Sequence, residues 1–156
     1  MCDGTWPVLT ARISTLALTP PVTVDSGSSV AGLVDQVQKQ KVGCVLVCKD
    51  GRLVGIITER DMLLKVVARD VNYGEPVDKF MTASPITLSP EHTIGDAANL
   101  MNERHFRHIP VVGADGQATG IVSIKDIISI VAESFPEQVL NLPPRPHQRM
   151  ETPEGG

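Results

Sequence analysis

The chain states one seven-residue phrase twice: Gly55-Ile56-Ile57-Thr58-Glu59-Arg60-Asp61 returns 65 residues later as Gly120-Ile121-Val122-Ser123-Ile124-Lys125-Asp126. Repetition at such a period makes each copy one supersecondary unit whose apolar face is completed by its neighbour, so the fold must be assembled from two like halves. The match extends around the phrase. Lys49-Asp50-Gly51 answers to Ala114-Asp115-Gly116 and Val45-Leu46-Val47 to Pro110-Val111-Val112 at the same offset, whereas Pro21-Val22-Thr23-Val24 answers to Pro85-Ile86-Thr87-Leu88 at an offset of 64. One residue has therefore been gained or lost between these blocks, and the sequence places it at a helix end near Lys39 to Val42. On that register Gly43 stands where the second copy has His108.

A chain of 156 residues, 42% hydrophobic, suffices for one compact domain or two small intertwined ones. Two units of about 60 residues are each marginal alone, so they are expected to share a core. The net charge of -4 offers no basic field for nucleic acid. No apolar run reaches the roughly 18 residues that span a bilayer, and Met1-Cys2-Asp3-Gly4 lacks a signal-peptide pattern, so a cytoplasmic location without membrane contact is expected. Cys44 and Cys48 sit on one face of a strand-like run, roughly 13 Å apart and too far for a disulfide. They read as buried structural thiols.

Each copy reads strand, helix, strand, strand, helix. Val22-Thr23-Val24 is β-prone, Asp25 to Ser29 supplies turn and N-cap chemistry, and Val30, Leu33, Val34 and Val37 follow at helical spacing. The second helix carries Ile94, Ala97, Ala98 and Met101, and Ser89-Pro90-Glu91 is expected to open it. Two β-branched runs joined by Asp-Gly then predict a hairpin in each copy. Helical spacing resumes at Met62, Leu63 and Val66, and at Ile127, Ile128 and Val131. Residues 1–7 read as an N-terminal extension, 8–70 as the first unit, 71–76 as a polar linker and 77–135 as the second unit. Residues 136–156 read as a Pro-rich disordered tail whose start Phe135, Val139 and Leu140 could pin.

The Thr/Ser-x-x-Asp pairs, Thr58 with Asp61 and Ser123 with Asp126, fall at strand-to-helix junctions. Such a pair serves as a capping box. It can also grip a polyhydroxyl ligand, with the carboxylate accepting from vicinal hydroxyls and helix N–H groups facing an anionic part. Arg107 and His108 are candidate phosphate donors, as are Arg60 and Lys125 inside the phrase. For all four a solvated surface role is the alternative. Among catalytic motifs, P-loop, GxGxxG, HExxH, GxSxG and CxxC patterns are all missing, so a non-catalytic protein without a metal site is expected.

Taken together, Met81-Thr82 with Pro85-Ile86-Thr87, the Arg107 to Val112 run, the Asp-Gly turns and both Gly-Ile-(Ile/Val)-(Thr/Ser)-x-x-Asp phrases resemble a tandem pair of CBS domains, the Bateman module. The resemblance covers roughly residues 8 to 135. It implies an α+β fold of two intertwined βαββα units about a pseudo-twofold axis, with sheets packed on each other and two clefts between units. It also implies adenosyl ligands in those clefts: AMP, ADP or ATP, with S-adenosylmethionine or NAD as further candidates. By position, the Asp61 cleft would take Thr58, Ile56, Phe80, Phe106 and Arg107, and the Asp126 cleft would take Ser123, Ile121, Leu16, Val42 and Gly43.

The unequal cations of the two copies suggest unequal clefts, and the Asp61 cleft near Arg107 and His108 is the better candidate for a charged nucleotide. The expected function is a regulatory module that senses adenine nucleotide. A homodimer is expected through the apolar faces after each Asp, and an unidentified effector protein would be the regulated partner. The alternative is a non-catalytic interaction scaffold with degenerate clefts.

Overall fold

The computed structural model describes residues 7–134. Residues 1–6 of the N-terminal extension and the Pro-rich tail with Phe135, Val139 and Leu140 lie outside the described residues. The first unit runs β1 (Thr23–Asp25), α1 (Val30–Gln40), β2 (Cys44–Lys49), β3 (Arg52–Thr58) and α2 (Glu59–Asp61), and α2 continues as a π-helical stretch over Met62–Val67. A short strand, β4 (Thr82–Ala83), precedes α3 (Ile94–Arg104), β5 (His108–Val112), β6 (Ala118–Ser123) and α4 (Ile124–Glu133). No helix among the described residues is long and apolar enough to cross a membrane.

Alternation along the strands divides the apolar residues between two faces. Val45, Val47 and Ile57 point toward the helices and form one core with Leu33. Ile109, Val111 and Val122 do the same with Ile94, Ala97, Met101 and Ile127. The opposite face, Cys44, Leu46 and Ile56 with Ile121, is the seam where the two sheets pack on each other. Burial at this seam, with Glu59 a lesser cause, pushes the Cys44 thiol up to about 12.

The halves are intertwined by their lead-in segments. Val77, which precedes the second repeat, is buried in the first core, while Ile13, which precedes the first repeat, is buried in the second. The backbone repeats the exchange. Glu75 O accepts from Val30 N at 2.9 Å to receive α1, and Ala11 O accepts from Ile94 N at 3.0 Å to receive α3. Asp78 closes the turn after β1 by accepting from Ser26 Oγ and Gly27 N, bonds that hold its carboxyl below the usual range.

The sheets follow the same exchange. The first has the order β1-β2-β3-β4, so a strand leading into the second unit closes its edge. Thr82 pairs with Ile56, and in the second half Thr19 pairs with Ile121. These crossings explain the glycine of the repeated phrase. A Cβ on Gly55 would collide with Met81, and one on Gly120 would stand 2.9 Å from the Leu18 Cβ.

Two expectations are corrected. The second-unit helix starts at Ile94 and not near Ser89, because Thr93 is its N-cap, accepting from Asp96 N at 3.1 Å. The single-residue difference between copies lies in the hairpin turn, not near Lys39 to Val42. Cys44 pairs with Thr58 while His108 pairs with Ser123. Four residues separate the paired Cys48 and Leu53, and five separate Val112 and Ala118. The first turn is a tight Asp50-Gly51 connection with φ of 52° and 80°, the left-handed pair that a two-residue hairpin requires. The structural equivalent of His108 is therefore Cys44, and Gly43 corresponds to Arg107. Lys41 and His105, both left-handed helix caps with φ of 51° and 59°, confirm the offset of 64 through this segment.

Candidate functional site

Each repeated phrase delivers its polar end to the point where a central strand passes into a helix. Thr58 caps α2, accepting from Asp61 N at 3.2 Å, and Asp61 Oδ2 accepts in return from Thr58 N at 3.0 Å. Ser123 and Asp126 repeat this at α4, with bonds of 3.1 and 2.9 Å. Both pairs are thus capping boxes in the structure. Capping uses one carboxylate oxygen of each Asp and leaves the other to be directed elsewhere.

An open cleft of about 1210 Å³ lies beside the first box. Its walls hold Ile56, Thr58, Arg60, Asp61, Phe106, Arg107 and His108, so seven of the candidate residues meet in one space, and Gly43 joins them from the other assignment. Phe80 is not among the lining residues; its carbonyl accepts from Lys65 Nζ at 3.2 Å, and Thr82, Pro85 and Ile86 supply that wall. Leu16 packs against the second core and Val42 against the first. Ile121 lies in the seam between the sheets, Ser123 and Asp126 form the second box, and Lys125 is exposed.

Sequence reasoning missed several cleft residues. Arg104 and His105 line it from the end of α3, and the cluster Arg104-His105-Phe106-Arg107-His108 was the signal for them. Glu59 lines it as well, an anion that the second copy replaces with Ile124. Arg60, Arg104 and Arg107 outnumber Glu59 and Asp61 among the lining residues. The lining also has an apolar part, Leu63, Leu64, Met101, Ile124 and Ile127 with Ile86. Such a combination suits a ligand with a flat apolar part and an anionic part.

His108 stands at the centre of this arrangement. A Cβ on Gly43 would meet its imidazole at 2.9 Å and the Glu59 Oε1 at 3.0 Å, so the missing side chain at Gly43 is what makes room for the ring. Burial lowers the His108 pKa from its usual value. Glu59 and Asp126 oppose that shift, and Arg107 and Lys125 reinforce it. The ring thus feels charges from both repeated phrases.

Comparison with known proteins places this geometry. The sequence profile of the CBS domain matches residues 13–68 and again 77–133. An uncharacterized 17.7 kDa protein of Acidianus ambivalens is 31% identical over 120 residues, 76% of this chain and 72% of that protein. Among solved structures, the CBS domain protein PAE2072 of Pyrobaculum aerophilum, complexed with AMP, superposes with a TM-score of 0.72 at 27% identity, covering 80% of this chain and 98% of that one. CBSX2 of Arabidopsis thaliana in complex with AMP gives a TM-score of 0.67 at 28% identity, covering 78% of this chain and 96% of that one. The match to the inosine-5'-monophosphate dehydrogenase of Aquifex aeolicus, 31% identical over 110 residues, spans 69% of this chain but only 22% of that enzyme. With two profile matches in tandem, crossed lead-in segments and the box at each strand-to-helix junction, the chain belongs to the CBS domain family as a tandem CBS pair.

Proposed function

We propose that this chain is a non-catalytic regulatory module that binds an adenosyl nucleotide in the cleft beside Asp61, with a second site at the equivalent Asp126 box. The observation that carries this reading is the meeting in one cleft of the Thr58–Asp61 box with Arg104, Arg107, His108 and a group of apolar side chains. An aspartate oxygen accepts from ribose hydroxyls, the arginines take phosphate as bidentate donors, and Ile56, Phe106 and neighbouring apolar groups cover the base. The AMP complexes of PAE2072 and CBSX2 support the ligand class. AMP, ADP and ATP are the first ligands to test, followed by S-adenosylmethionine and NAD.

A homodimer is part of the proposal. Leu63 and Ile128 occupy equivalent places in the two halves and are 58% and 63% exposed, so each half leaves a large apolar side chain that an isologous contact between two copies would cover. The remaining residues of the expected face serve the cores instead: Val66 and Ile127 are buried, while Met62 and Val131 are partly buried against them. The scaffold reading draws on the fact that both boxes are satisfied within the chain.

Calorimetric titration decides between these readings. AMP should bind, and Asp61→Asn should weaken its cleft by roughly 10- to 100-fold, the worth of a charge-assisted hydrogen-bond pair. No heat with any of the five ligands at millimolar concentration would leave the scaffold reading standing, and sedimentation of the same samples reads the dimer.

A further inference from the structure

The two boxes are alike in the oxygen that caps the helix and unlike in the oxygen that faces a ligand. Asp61 Oδ1 lies 3.2 Å from Lys65 Nζ, and the same ammonium donates to Phe80 O at 3.2 Å. The Lys65 ammonium thereby bridges the first box and the lead-in segment of the second repeat. The Asp126 carboxylate makes only its capping bond with Ser123 among the described residues. The position equivalent to Lys65, 65 residues on, is Ile130, which packs against the second core. The backbone differs in step, since Met62–Val67 is π-helical where α4 continues as a regular α-helix.

A vicinal diol must find a carboxylate oxygen with capacity to accept. At Asp126 no hydrogen bond or ion pair takes that oxygen among the described residues, and His108 is the titratable neighbour whose charge it favours. At Asp61 a ribose has to compete with a cation that is already seated, so the ribose contact alone returns less there. Phosphate changes the balance, because Arg104, Arg107 and His108 line the same cleft. We propose that Lys65 is a specificity-determining residue of the Asp61 cleft: as a competing cation, it makes tight binding depend on an anionic phosphate on the ligand, whereas the Asp126 site accepts uncharged adenosyl groups. The inference rests on the nucleotide reading given above and deepens it.

The test isolates the Asp61 cleft with Asp126→Asn, whose side-chain oxygen still accepts from Ser123 N, and titrates adenosine and AMP by calorimetry. In that background AMP should bind and adenosine should bind at least about tenfold more weakly. Adding Lys65→Met, which keeps the length of the stem, should strengthen adenosine about fivefold, the worth of a half-exposed ion pair, with a smaller change for AMP. Lys65→Arg should restore the original ratio. An unchanged adenosine-to-AMP ratio in Lys65→Met would overturn the proposal, and so would a loss of AMP affinity, which would make Lys65 a phosphate ligand. Lys65→Gln supplies the same comparison if the methionine variant does not fold. Failure of the underlying reading looks different: the unmodified chain would bind neither AMP nor adenosine.

Discussion

Replacing Ile13 by Ala should destabilise a core to which it does not belong in sequence. Ile13 precedes the first repeat, yet it is 1% exposed among Leu88, Ile94, Val111 and Val122 of the second. Ile→Ala removes three carbon groups, and at about 0.8 kcal/mol each the transfer loss is about 2.4 kcal/mol. A residual cavity on the order of 50 Å³ adds about 1 kcal/mol at roughly 24 cal/mol per Å³. The total, about 3.5 kcal/mol, falls within the usual range for such a change. With an unfolding entropy of about 2.1 cal/mol/K per residue over roughly 130 described residues, the change lowers Tm by about 13 °C. Urea titration measures the free energy, and hydrogen exchange locates it: protection should fall first at residues 109–122 and later at 45–57. Gln38→Ala, at an exposed position of α1, is the control and should change stability by less than about 0.5 kcal/mol. A loss below about 1 kcal/mol for Ile13→Ala, or a loss of protection confined to residues 45–57, would refute the exchange of lead-in segments.

Two further outcomes follow from close contacts in the structure. Gly120→Ala should cost roughly 1–3 kcal/mol because its Cβ would lie 2.9 Å from Leu18 Cβ, and in a Leu18→Gly background, which removes that atom, the same change should cost clearly less; additive losses in urea would show that the contact is not the cause. Burial lowers the His108 pKa, so between the folded value and the unfolded one near 6.5 the unfolded chain holds the extra proton and stability rises with pH. Acidification through that window should therefore lower the urea midpoint, and His108→Gln should flatten the dependence; a midpoint that rises on acidification would contradict the assigned sign.

Elements whose physics is local were legible in the sequence. β-branched runs marked β2, β3, β5 and β6, the Asp-Gly pairs marked the hairpin turns, and Thr/Ser-x-x-Asp marked the starts of α2 and α4. The partners of the lead-in segments were not legible. Nothing in Ile13 or Val77 says which of two similar cores each will enter, because either is apolar and the choice belongs to the path of the chain. The register between copies was misread for a related reason. Matching Gly43 to His108 relied on the strongest phrase, whereas the pairs Cys44–Thr58 and His108–Ser123 put the extra residue in a solvent-facing turn that constrains sequence weakly. At the cleft, the Arg104 to His108 cluster was visible as a charge pattern, but Lys65 was not. Its role depends on two oxygens, one from Asp61 and one from the Phe80 carbonyl, that only the folded backbone brings within reach.

What the duplication keeps and what it changes bears on where specificity resides. Both copies keep Gly55 or Gly120, where a strand from the other half crosses, and both keep the Thr/Ser and Asp that cap the following helix. Each of these residues has a sufficient reason in the fold. The retained phrase alone would therefore be satisfied by a protein that binds nothing. Among the positions that differ are Gly43 against Arg107, Cys44 against His108, Glu59 against Ile124 and Lys65 against Ile130, and both copies form the same strand-to-helix junction with either residue. Gly43, Glu59, Arg107, His108 and Ile124 all line one cleft, and Lys65 holds the aspartate on its wall. A difference in charge concentrated there alters ligand binding at little cost to folding, since these groups are exposed or half-buried. On the proposed function, duplication supplies two equivalent grips, and the substitutions around them make the grips unequal.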